Sequence, residues 1–111
     1  MTFPGLLLRL FASHKPEVLA GKVATRSRTA VWERVSHRIH KFHGAEARGY
    51  VRARGAAIIE RETDLLIAEE GAKVARYRDQ ILSTATDSVI RLILEQSQIS
   101  RESVVARRRA A

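Results

Sequence analysis

Residues 45–98 form an unbroken run with no proline and few turn signals, and their apolar residues recur at helical spacing. A chain of 111 residues that gives half its length to such a run has little left for sheets. Its two prolines both lie within the first 16 residues, and six glycines are too few for the turns of an all-β fold. The predicted fold class is all-α: a helical bundle or long helical hairpin built around a long C-terminal helix, in a single domain.

Two apolar stripes cross the run. Val51, Ile58, Leu65 and Ala72 repeat at a seven-residue step, with Ala47 just ahead. That step keeps them on one slowly drifting face, the seam of a coiled coil. Val74, Ile81, Ala85 and Leu92 form the second stripe, flanked by Val89 and Ile93. On one unbroken helix the second stripe points roughly opposite to the first. Either the helix breaks near Gly71 or it continues and changes partners there. Glu69 and Glu70 oppose the helix dipole at a C-terminus, and glycine inside a helix costs only about 1 kcal/mol. These points favour a continuous helix over 45–98, bent at Gly71, with a break as the alternative.

Residues 3–12, FPGLLLRLFA, predict a short apolar helix, too short to span a membrane. The first 40 residues are rich in arginine and nearly free of acid, as a mitochondrial targeting segment also is. A cytoplasmic location is the reading adopted, with that targeting role as the alternative. Pro16 and Glu17 suit a helix start, and a basic helix is predicted over 16–43, ending at His43-Gly44. Val31, Trp32, Val35, Ile39 and Phe42 share its broad apolar face. Residues 99–111 read as a frayed basic tail ending in Arg107, Arg108 and Arg109.

Charge is unevenly placed. The formal net charge is +8, and residues 57–111 balance nine bases against nine acids, so the excess lies in the N-terminal half. Arg26, Arg28, Arg34, Arg38, Arg48, Arg52 and Arg54 are the candidate contacts to nucleic acid or another anion. No asparagine or glutamine stands beside them to read bases, so such binding would follow the backbone and respond to salt. The glycines of ARGYVRARGAA match no phosphate loop.

Catalytic signals are weak. The chain has no cysteine, hence no disulfide or thiolate ligand. His37, His40 and His43, with Glu33, resemble a metal face only loosely, because the outer two do not converge on one helix. The acids Glu60, Glu62, Asp64, Glu69 and Glu70 read as a solvated face, and Ser83, Thr84, Thr86 and Ser88 lack a nearby base. The sequence predicts no enzyme, cofactor or metal site.

Ile58, Ile59, Leu65, Leu66 and Ile67 surround much of the long helix, more than the 16–43 helix alone can cover. Val51, Ile58, Leu65, Leu66 and Ile67 are therefore the candidate interface, and a homodimer or a larger protein assembly is the predicted state. The function expected is that of a helical interaction or assembly protein, a small complex subunit. The alternative is a nucleic-acid binder without sequence preference, and an acidic protein is a further candidate partner for the basic half.

Overall fold

The protein is described here by a computed structural model in which residues 15–110 are placed. The apolar segment expected over 3–12 lies outside the described residues. Helix α1 spans Pro16–Val35, α2 Gly44–Glu70, α3 the single turn Ala72–Ala75, and α4 Arg78–Ala110. A 3-10 turn at Ile39–Lys41 joins α1 to α2, and no strand occurs among the described residues. The fold is an all-α helical bundle that ends in a long C-terminal helix. No described helix is long and apolar enough to cross a membrane.

The continuous 45–98 helix is corrected: the chain reverses at Gly71. This residue has φ 99° and ψ 179°, a region that essentially only glycine enters. Its amide still donates to Ile67 O at 2.9 Å, and its carbonyl accepts from Val74 N at 3.1 Å. The acids that argued against a helix end are offset by cations from α1. Arg26 Nη2 sits 3.0 Å from Glu69 Oε2, and Lys22 Nζ 3.9 Å from Glu70 Oε1. The dipole penalty is met by a neighbour that the linear sequence does not display.

The reversal lays α4 back along α2, and α1 packs against both, so each long helix touches the other two. Each contributes a ridge of five buried residues at a strict four-residue step. These are Leu19, Val23, Ser27, Val31 and Val35 on α1. On α2 they are Ala47, Val51, Gly55, Ile59 and Thr63, and on α4 Ile81, Ala85, Val89, Ile93 and Ser97. Four-step rows drift around a helix faster than a seven-residue seam, and helices that interdigitate by them cross at a steeper angle than a coiled coil.

The seven-residue seam is accordingly not the buried one. Val51 is fully buried, but Ile58 is only half-buried, Leu65 is 46% exposed and Ala72 is exposed. Of the candidate interface residues, Val51 and Leu66 are sealed inside the bundle, and Ile58 and Ile67 pack partly buried against it. The premise behind the homodimer, a helix with one covering partner, does not hold, because α4 supplies the second cover.

Helix α1 stops eight residues earlier than expected. Residues 36–38 form a turn, and i to i+3 bonds from Lys41 N to Arg38 O and Phe42 N to Ile39 O close the 3-10 turn. The bend lets Ile39 close the end of the core and sets Phe42 flat on Tyr50, with ring centroids 4.6 Å apart. The tail expected to fray from residue 99 is helical to Ala110.

Two sets of substitutions test this packing. Ile59→Ala and Leu66→Ala should each lower stability by about 2–5 kcal/mol, and Leu65→Ala by less than about 1 kcal/mol, in chemical denaturation. Equal losses at 65 and 59 would contradict the four-step ridge. A Cβ on Gly55 would stand 3.2 and 3.3 Å from the Val31 methyls, which are fully buried and would have to give way by a few tenths of an ångström inside a packed core. Gly55→Ala should therefore destabilise, whereas Gly49→Ala, with nothing within 4 Å, should gain about 0.5–1 kcal/mol.

Candidate interaction surface

The bundle has two unlike ends. At the Gly71 end acids and bases are balanced, and several of them pair. Arg26 makes a two-pronged contact with Glu69, at 3.2 and 3.0 Å, and Arg78 donates to Asp64 Oδ1 at 2.8 Å. The Asp64 carboxyl is held below its ordinary pKa, first by the Arg78 hydrogen bond and then by its charge, against some desolvation. The Glu69 hydrogen bond likewise raises the Arg26 guanidinium.

The other end is basic. Residues 31–54 and 90–110 meet there: the last turn of α1, the 3-10 turn, the first turns of α2 and the second half of α4. They carry eleven lysines and arginines against four carboxylates, with Asp87 reaching Arg52 from the border, whereas residues 15–30 and 55–89, Asp87 included, carry eight against eight. The excess that the sequence placed in the N-terminal half is thus gathered at one end of the fold, and α4 contributes to it. Arg34, Arg38, Lys41, Arg48, Arg107, Arg108 and Arg109 have no ion-pair partner among the described residues. Arg52 reaches Asp87 only at 4.0 Å, and Arg54 lies 5.7 Å from the Tyr50 ring centroid.

The seven candidate arginines therefore divide. Arg34, Arg38, Arg48, Arg52 and Arg54 lie at the basic end. Arg26 is committed to Glu69, and Arg28 donates to Gln96 Oε1 at 3.3 Å. Arg91 and Arg101 join the basic end without having been singled out in the sequence. Only the parallel course of α1 and α4 brings them there.

From Gln98 onward α4 buries no residue. Thirteen residues, about 20 Å of helix, project past the core. Ile99 is 64% exposed, and Val104 and Val105 are each 48% exposed. Between this projection and the end of α1 runs an open groove of about 500 Å³. Trp32, Ile39 and His40 form one wall, and Ser97, Arg101, Val104 and Val105 the other. Arg101 Nη2 donates to Ile39 O across the groove floor at 3.5 Å, a long contact.

The histidines do not share a helix face. His37 is in the turn, His40 in the 3-10 segment, and His43 precedes α2, all exposed. No group of three His, Cys, Asp or Glu is placed to hold a metal among the described residues. Thr86 Oγ1 donates to Leu82 O at 2.7 Å, so its hydroxyl serves the helix. No family model matches this sequence, and neither a curated protein nor a solved structure matches it.

The Arg78–Asp64 contact ties the start of α4 to α2 across the reversal. A carboxyl whose pKa is lowered on folding adds stability above the ordinary aspartate range, and that stability is lost as pH falls through the lowered value. Asp64→Asn should reduce the thermal midpoint modestly at pH 7, since the pair is exposed, and the deficit should vanish in strong acid. A deficit that persists unchanged in acid would show that the contact does not act through charge.

Proposed function

We propose that this chain is a non-catalytic helical interaction protein that holds a macromolecular partner at the basic end of the bundle. The observation that carries the reading is the projection of α4. It adds nothing to the buried core, yet presents Val104 and Val105 in a groove shared with Trp32 and Ile39. Contiguous apolar surface of this kind on a folded chain marks contact sites.

A photoreactive amino acid at position 104, in the cell that makes the protein, tests this. The expected result is a discrete adduct at 104 that is absent when the same group stands at Lys73, at the other end. No adduct at 104, or the same adducts from both positions, would contradict the reading.

The unpaired cations favour a second reading, contact with nucleic-acid phosphates. In that case replacing Arg38, Arg48 and Arg101 together should weaken unrelated duplexes about equally and flatten the dependence on salt. Strong preference for one sequence, little altered by salt, would contradict backbone contact.

A further inference from the structure

The groove at the basic end combines two properties that jointly restrict what can occupy it. Its lining is largely apolar, through Trp32, Ile39, Val104 and Val105. Arg101 lines it as well, Arg34 stands on the adjoining last turn of α1, Arg38 in the turn that follows, and Arg107, Arg108 and Arg109 follow Val105 along α4. Building on the interaction reading, we propose that the groove takes an amphipathic helix with acidic flanks from another protein. Such a helix would set an apolar stripe against Trp32 and Val104 and its carboxylates against the arginines.

The described helices do not supply this occupant. The acidic stretch, Glu60 to Glu70, lies within α2, where Asp64, Glu69 and Glu70 already face cations and Thr63 and Leu66 are buried in the core. Residues 1–14 contain Arg9 and no acid, and they join α1 at its far end. A second copy brings the same excess of positive charge and is repelled. A phosphate backbone would meet the arginines but leave Trp32, Val104 and Val105 without an apolar partner.

The test is selection of binders on the full-length protein from a display library of random 18-residue helical peptides, with a duplex oligonucleotide of random sequence assayed in parallel. The selected peptides are expected to share apolar residues at i, i+3, i+4 and i+7 with glutamate or aspartate on either side. Val104→Asp should weaken their binding roughly tenfold or more, and Arg101→Glu with Arg108→Glu by a similar factor that shrinks at high salt. None of residues 98–110 is fully buried, so Val104→Asp should keep the helical signal and thermal midpoint of the native chain, and the double arginine variant, which gives up only the long Arg101 contact to Ile39 O, should keep its helical signal. Selected peptides without acidic flanks, or binding indifferent to Val104→Asp, would overturn the proposal while leaving the interaction reading intact. So would an empty selection, and if the duplex binds instead, the phosphate reading takes its place.

Discussion

The backbone at Gly71 is the constraint on which the rest depends. Its φ of 99° with ψ 179° is closed to residues that carry a Cβ, and it converts what would be one long rod into α2 and α4 lying side by side. Only after that reversal does the α2 ridge face the α4 ridge, and only their pair offers α1 a place to seat Leu19, Val23 and Val31. The contacts that hold the reversal are modest surface pairs, Arg78–Asp64 and Arg26–Glu69. The stabilisation comes instead from burial behind it: Ile59, Leu66, Val74 and Ile81 are all sealed from water.

Much of the architecture was legible because helical periodicity is a strong signal over a long proline-free run. The correct ridge was not, for a reason visible in its composition. Ser27, Gly55, Thr63 and Ser97 occupy ridge positions and are buried, so a search for large apolar residues passes over them. Leu65 and Ile58 are large and apolar, and they impose a seven-residue rhythm that the fold does not use. Small residues serve here because ridges packed closely leave little room, as the 3.2 Å approach of a Gly55 Cβ to Val31 indicates. Thr63 meets the cost of its burial by donating to Ile59 O at 2.7 Å. The Ser27 hydroxyl, by contrast, is buried with no hydrogen-bond partner in the structure.

The candidate surface was legible only in pieces. Arginines at 34, 38, 48, 52 and 54 stand out in the sequence, as does Trp32, but the groove needs Val104, Val105 and Arg101, some 60 residues later. Their neighbourhood follows from α1 and α4 running parallel, and that follows from two reversals, one at the 3-10 turn and one at Gly71. Fold and surface are therefore linked. The core ends near Ile39 and Ser97, and the projecting helix and the open groove both begin there, within the region of excess positive charge.

The reversal within one chain is the central claim, and a single distance tests it. Arg52 on α2 and Asp87 on α4 approach to 4.0 Å in the hairpin. Along one continuous helix, 35 residues would separate them by about 50 Å. Spin labels at these two positions, in chains diluted with an excess of unlabelled protein so that only intrachain pairs contribute, can be read by pulsed electron paramagnetic resonance. The account predicts one distance well below about 30 Å, and a dominant distance near about 50 Å would contradict it.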